Sequence, residues 1–257
     1  MQLQGKTAFI TGAGHGLGRA AALHLSRLGI KVALNGRGRP SLEKVAGVIE
    51  EEGGKCQLAA GDVSDMQQVS DAVKKTLETF GSLEILVNNA AVIGPARTLE
   101  DADPASWSQT IAINLNGPFF CCREVLPIML RQGRGRIINL ISGLASMAFP
   151  RFCAYCASKA ALLQMTRCLA EELKGEPVQI MNLDPGVMDT RMQAEIRSLD
   201  PEQLGPLQRE FLEMRDEGRL RDPSEVAKLV AVLAGRDNPR DSGKSFSLKD
   251  LGKLLAK

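Results

Sequence analysis

The stretch "KTAFITGAGHGLGRAAALHLSRLG", residues 6–29, decides how the whole chain is read. Residues 6–11 form a short apolar run that suits a strand buried on both faces. Glycines follow at 12, 14, 16 and 18, and residues 18–29 then show helical periodicity with a glycine stop. Glycines let a turn tighten and let backbone approach a ligand closely. The helix start offers unpaired N–H groups and a positive dipole end, which suit a pyrophosphate. A glycine-rich turn alone is a weak signal, with a purely structural turn as its alternative. Its place between a strand and a helix is what gives it weight.

Outward from this unit the same alternation continues. Strands are expected at 31–35, 55–63, 83–89, 134–142, 178–186 and 244–248. Helices are expected at 41–54, with Ser41 as N-cap, and from about Ser64 onward. A long helical region spans 104–132, interrupted near Gly117–Pro118 and marked by Pro127. Further helices fall at 152–174 and 223–235, and residues 190–217 look helical but polar and loosely patterned. Alternating strands and helices predict an α/β fold: one domain over 1–257 with a doubly wound parallel sheet of about seven strands. Ligands then bind at the carboxyl ends of the strands.

Composition narrows the partners. The chain has 257 residues, 44% hydrophobic and 24% charged, with net charge +2 from 32 basic and 30 acidic side chains. This gives no electrostatic reason to expect nucleic acid or an anionic membrane as partner. The apolar runs are far shorter than the roughly 20 residues a bilayer crossing needs. "MQLQGKTAFITG" has no charged segment followed by an apolar one and a cleavage site, so a cytoplasmic protein without a signal peptide is expected. Six cysteines, at 56, 121, 122, 153, 156 and 168, show no disulfide framework. Cys153 and Cys156 form one CxxC. A redox or zinc role would need a second pair or nearby histidines, and only His15 and His24 exist. The expectation is no metal, with the cysteines as small buried hydrophobes.

The end of the second strand reads on the nucleotide. An acid there would hydrogen-bond a ribose 2′-hydroxyl and favour NAD. The residues are Asn35, Gly36 and Arg37. Arg37 can pair with a 2′-phosphate, and His15 in the glycine loop can add a donor, so NADP (NADPH) is expected. The alternative is that Arg37 is a solvated surface charge.

"AYCASKAAL", residues 154–162, holds the only tyrosine of the chain, Tyr155, four places before Lys159. A helix stacks the two on one face. A phenol with its ordinary pKa of about 10 is a poor acid or base at neutral pH, and a nearby ammonium lowers it. The tyrosine can then exchange a proton with a carbonyl or alcohol oxygen. Spacing alone does not separate this from a buried tyrosine with a chance neighbour.

Taken together, these motifs resemble those of the short-chain dehydrogenase/reductase family over nearly the whole chain. The family's glycine loop matches Thr11, Gly12, Gly16 and Gly18, with Gly14, His15 and Leu17 within it. Its acid after strand three matches Asp62, followed by Val63. Its Asn-Asn-Ala-Gly matches Asn88, Asn89, Ala90 and Ala91, and its helix asparagine matches Asn114. Its catalytic serine matches Ser142, its Tyr-x-x-x-Lys matches Tyr155 and Lys159, and its Pro-Gly turn matches Pro185 and Gly186, with Thr190 beyond. The resemblance implies a Rossmann fold and Tyr155 as general acid/base. Lys159 lowers its pKa and bonds the nicotinamide ribose. Ser142 polarises the substrate oxygen, and Asn114 holds a relay water. Thr190 and the backbone after Gly186, at Val187, hold the carboxamide. It also implies a homodimer or homotetramer through helices near 104–132 and 152–174.

The chain departs from the family pattern at Ala91, where glycine is usual, and at Asp184, where asparagine is common. It ends in "DSGKSFSLKDLGKLLAK", read as a solvated terminal helix, rather than in a "DGG"-type segment. A substrate lid is expected at 187–217. The last third is similar to the sepiapterin-reductase and diketone-reductase branch, which implies an NADP-dependent reductase of ketones or diketones. Met188, Met192 and Phe149 are candidates for an apolar pocket. The alternatives are a 3-oxoacyl-carrier-protein reductase, with Arg151, Arg191 and Arg197 as a basic patch, or an NADP-binding regulator without turnover.

Overall fold

The structure is a computed structural model that describes residues 2–199 and 207–255; the side chains of 207–210 lie outside the description, as does the middle of the expected lid. Its centre is a sheet of seven parallel strands in the order β3-β2-β1-β4-β5-β6-β7. The strands are β1 (Thr7–Ile10), β2 (Lys31–Gly36), β3 (Cys56–Ala60), β4 (Ile85–Asn88), β5 (Gly135–Leu140), β6 (Val178–Asp184) and β7 (Ser245–Ser247). Helices cover both faces, as a parallel sheet requires. Ala8 and Ile10 enter the apolar core under α1 (Gly16–Arg27), while Phe9 between them enters the opposite core. That alternation is the period of a strand. The chain runs outward from β1 to β3, then returns through α3 (Met66–Phe80) to place β4 on the other side of β1. The crevice at this reversal of direction is where such sheets take ligands.

Several local expectations shift. Ser41 does not cap α2 (Arg39–Glu51): the helix starts two residues earlier, after Gly38, and Ser41 Oγ donates to the Gly38 carbonyl at 2.7 Å. The helix expected from about Ser64 is α3, starting at Met66 and capped by Asp65, which accepts from the Gln67 and Gln68 amides. The helix over 104–132 breaks before its glycine. α4 (Pro104–Ile111) passes into a π-turn, Ala112–Asn116, before α5 (Gly117–Arg131) resumes. Pro118 has no N–H to give the carbonyl four residues earlier, that of Asn114, and its ring crowds that carbonyl. The helix widens just ahead of the proline.

The long helix α6 (Cys153–Glu172) follows β5, and α9 (Pro223–Gly235) packs on α1. Between them lie α7 (Arg191–Arg197) and α8 (Leu207–Asp216), within the stretch read as helical. The C-terminal end is a 3-10 turn, Leu248–Asp250, leading into α10 (Leu251–Leu255). It is more than a solvated helix, because Leu248, Leu251 and Leu254 pack against the α1 core. The cysteines also differ from their reading: only Cys121 and Cys122 are buried, whereas Cys153 and Cys168 are exposed and all six are free thiols. No described helix is long and apolar enough to cross a membrane.

Candidate active site

At the carboxyl ends of β1 and β4 the chain opens into a cleft of about 480 Å³. The glycine loop forms one wall. Gly12 and Gly16 take left-handed backbone, φ +65° and +49°, and Gly14 faces Ser41 too closely for a side chain. Gly18 does not line the cleft; its Cα sits against the Gly12 carbonyl and the Asn89 side chain, so the start of α1 and the glycine loop meet backbone to backbone. Thr11 ties the loop to β4: its Oγ accepts from the Asn89 amide at 2.9 Å and the Ala90 amide at 3.0 Å. Asn89 returns a bond to the Thr11 carbonyl at 2.9 Å. Asn89, Ala90 and Ala91 line the cleft together with His15 and Leu17.

One end of the cleft is polar. Arg37 reaches it from β2 and Asp62 and Val63 from the end of β3. The Arg37 guanidinium lies 3.8 Å from the Asp62 carboxylate and is 62% exposed, so it is loosely held. Asp62 is occupied by Ser64, accepting from its amide at 2.9 Å and its hydroxyl at 2.7 Å. Sequence reasoning passed over Asn35 as a site residue. It lines the cleft, donates to the Ala59 carbonyl at 2.8 Å, and holds its Oδ1 buried without a hydrogen-bond partner. Its place at the end of β2 was the available signal.

The other end holds the tyrosine. Tyr155 and Lys159 are both buried on α6 and both line the cleft. Burial pushes the phenol up to about 12, the Ser142 hydroxyl draws it down, and the charge of Asp184 raises it. Burial also brings Lys159 down to about 8. Its ammonium lies 5.7 Å from the Tyr155 ring centroid and donates to the Leu140 carbonyl at 2.7 Å. The expectation that Lys159 lowers the phenol is therefore not met in the protein alone. Desolvation dominates both groups, and the phenol holds its proton.

Ser142, just after β5, caps the 3-10 turn Gly143–Ala145 by accepting from the Leu144 amide at 3.2 Å. Asn114 sits in the π-turn with its side chain fully used. Its Oδ1 accepts from the Val92 amide and its Nδ2 donates to the Val92 carbonyl, each at 2.9 Å, and to Ser158 Oγ at 3.1 Å. Its side chain is therefore not free to hold a relay water, and Pro118 has no amide to give its carbonyl. Pro185 and Thr190 line the cleft, and Thr190 caps α7. Gly186 and Val187 lie behind it: Gly186, φ +68°, packs on Arg221, whose amide donates to the Val187 carbonyl at 2.9 Å.

Beside Tyr155 lies a small apolar cluster. Phe149, Phe152 and Phe211 meet with ring centroids 5.6–6.0 Å apart, joining α8 to the start of α6. Ile93, Leu144 and Met192 pack around them. Met188 lines the cleft but belongs to the α1 core, while Phe149 belongs to the cluster. The aromatic partners Phe152 and Phe211 escaped the sequence reading, since nothing local ties position 211 to position 152. Arg191 pairs with Glu195 at 2.9 Å and Arg197 with Asp189 at 3.8 Å, so these two do not form a basic patch.

The chain is similar to known proteins in sequence and fold. The short chain dehydrogenase family profile matches residues 6–200. A 3-oxoacyl-[acyl-carrier-protein] reductase of Thermotoga maritima is 30% identical over 96% of this chain and 98% of its own. A cyclohexanol dehydrogenase of Acinetobacter sp. is 29% identical over 94% and 92%. The crystal structure of levodione reductase superposes with a TM-score of 0.87 at 29% identity, covering 99% of both chains. With the fold, the glycine cleft and the family profile in agreement, the chain belongs to the short-chain dehydrogenase/reductase family, a family of oxidoreductases that use nicotinamide cofactors.

Proposed function

We infer that the protein is an NADP-dependent oxidoreductase that transfers hydride between the nicotinamide and a carbonyl or secondary alcohol, acting as a reductase of ketones or diketones. The observation that carries this reading is the proton-loaded, buried phenol of Tyr155 at the end of the glycine cleft, beside Ser142 and Lys159. The residues fit a dinucleotide. Gly12, Gly14 and Gly16 leave room for phosphates at the start of α1, and Asn35, Gly36 and Arg37 line the polar end. Arg37 would turn from Asp62 to a 2′-phosphate. Thr190, Pro185 and the backbone after Gly186 would hold the carboxamide, and Lys159 the nicotinamide ribose.

When bound, the reduced nicotinamide supplies the hydride. The protein does the rest. The Ser142 hydroxyl donates to the carbonyl oxygen, and Tyr155 gives that oxygen its proton. Lys159, poised near neutrality, would reload the phenol, with the Asn114 carbonyl leading toward solvent. The cluster of Ile93, Leu144, Phe149 and Met192 favours a neutral, apolar substrate, in keeping with relatives named for cyclohexanol and levodione. In this reading the described parts of the expected lid, 187–199 and 207–217, belong to the one domain that also carries the cleft. Phe119 on α5, 48% exposed, supports assembly into a homodimer or homotetramer through α4, α5 and α6, and free thiols suit the cytoplasm.

The test follows oxidation of NADPH and of NADH against a panel of cyclic ketones, vicinal diketones and a 3-oxoacyl thioester. Turnover with NADPH on neutral ketones supports the reading. Preference for the thioester would move it to the carrier-protein branch. Tight binding without turnover on anything would make it a sensor.

A further inference from the structure

The first turn of α6 carries a chemistry that the proposed reaction does not use. Cys153 is the first residue of the helix and Cys156 lies three residues on, with Tyr155 between them in the chain. Both are free thiols in different settings. Cys153 is exposed, whereas Cys156 is half-buried and packs into the cluster of Phe149, Phe152 and Tyr155. Burial raises the Cys156 thiol, and Cys153 lies close enough to add to that rise. The pair thus has one sulfur open to solvent and one sheltered beside the candidate pocket. By spacing alone this CxxC carried no redox role. The fold adds the exposure of one sulfur and the place of the pair at a helix end.

Residues three apart on a helix share a face, with Cβ atoms about 5–6 Å apart, whereas a disulfide wants about 3.5–4.5 Å. Closure therefore asks for a shift of about 1–2 Å. The start of a helix takes such a shift with least damage, because its first amides have no earlier carbonyl of the helix to bind. Upstream, Arg151 already holds left-handed backbone, φ +67°, a strained conformation for a residue with a side chain. The Cys156 amide donates to the Phe152 carbonyl at 2.9 Å, and the Phe152 ring meets Phe149 and Phe211. A bridge between the two sulfurs pulls on the segment that carries Phe152 and Tyr155. The other cysteines are placed differently: Cys121 and Cys122 are buried neighbours on α5, while Cys56 and Cys168 sit on β3 and farther along α6.

We propose that Cys153 and Cys156 form a thiol-modification site for a small-molecule disulfide, which closes them into a bridge, displaces Tyr155 and slows the reaction. The Cys153 thiolate attacks one sulfur of the small disulfide; its S–S bond breaks, a mixed disulfide forms and one thiolate leaves. Cys156 gives its proton to solvent and attacks the Cys153 sulfur, expelling the second thiolate. Two protein thiols are oxidised by two electrons, and the small disulfide is reduced to two thiols. The bridge rests on no reading of the function. The loss of rate rests on Tyr155 as the acid of the proposed reaction.

Trypsin cuts after Arg151 and Lys159 and frees residues 152–159, which hold both cysteines and the only tyrosine of the chain. Wild type and Cys153→Ser are incubated with oxidised glutathione, free thiols are alkylated, and this peptide is weighed. The wild-type peptide is expected to lose two hydrogens and escape alkylation, and dithiothreitol is expected to reverse this. Ketone reduction should fall about 10-fold to 100-fold with the bridge in place, the scale of misplacing a reacting group by about 1 Å. Cys153→Ser should keep its rate under both conditions. A wild-type peptide that alkylates at both cysteines, or that stops at a glutathione adduct, would overturn the proposal. An equal loss of rate in Cys153→Ser would put the effect at another cysteine and overturn it too. If reduced wild type turns over no ketone, the reductase reading fails. The ultraviolet difference spectrum of the lone tyrosine then decides: a bridged form with a shifted tyrosine band supports the displacement of Tyr155, and an unshifted band refutes it.

Discussion

Lys159 points its Nζ at the Leu140 carbonyl, 2.7 Å away, from a position only 3% exposed. A buried ammonium with one fixed acceptor is poorly solvated, and burial lowers Lys159 from its ordinary 10.5 to about 8. Below pH 8 the lysine is charged in both folded and unfolded chains, and its burial costs stability in full. Between 8 and 10.5 the unfolded chain binds more protons, so this group's contribution to stability rises with pH. Lys159→Met should therefore gain most over wild type near pH 7. The gain should shrink by on the order of 3 kcal/mol as pH rises through that window. Denaturant melts of both proteins at pH 7 and 10 check it, and a pH-independent difference would refute it.

Tyr155→Phe removes the hydroxyl and leaves the ring in its apolar cluster. Ketone reduction should fall about 10²–10⁴-fold, the ordinary range for losing a general acid. The melting temperature should change little. Steady-state rates and a thermal melt on one preparation separate chemistry from folding; a variant that keeps a tenth of the rate would remove Tyr155 from its role.

Arg37→Ala should weaken NADPH binding about 10-fold to 100-fold and leave NADH unchanged, because the lost contact is a charge-assisted bond to the 2′-phosphate alone. Fluorescence titration with each nucleotide measures this. Equal weakening of both would place Arg37 as a mere partner of Asp62.

Gly18→Ala sets two effects against each other. Alanine is the better helix former by about 1 kcal/mol. Its methyl, however, would overlap the Gly12 carbonyl oxygen and the Asn89 amide, which are backbone and a pinned side chain. The overlap should win, for a net loss of about 1–3 kcal/mol and weaker nucleotide binding. Chemical denaturation with and without NADPH gives both values.

Phe211→Ala opens the ring cluster that joins α8 to α6. Substrate KM should rise about 10-fold or more while NADPH affinity holds, since Phe211 borders the apolar cluster and not the glycine cleft. Initial rates with the substrate and the nucleotide varied in turn distinguish this from general loosening of the fold.

Much of this was legible along the chain because its signals are local. The apolar run at 6–11, the glycines behind it and the period of 18–29 each act within one turn or strand, and β1, the loop and α1 follow. The π-turn was missed in position because Pro118 acts backward, on the carbonyl of Asn114. Ser41 was misread as a cap because Gly38–Arg39 can already start the helix. Cys153 was read as buried because residue type carries no record of which helix end meets solvent.

By itself the sequence determined the order of strands and helices, the glycine loop, and the pairing of Tyr155 with Lys159, since each depends on periodicity or on neighbours within one helical turn. Only the tertiary structure decided the burial that sets the protonation of that pair, the unpartnered Oδ1 of Asn35, and the grouping of Phe149, Phe152 and Phe211. Desolvation and Coulomb forces depend on what the fold brings together from distant segments, and that distance through space is written in no stretch of the chain.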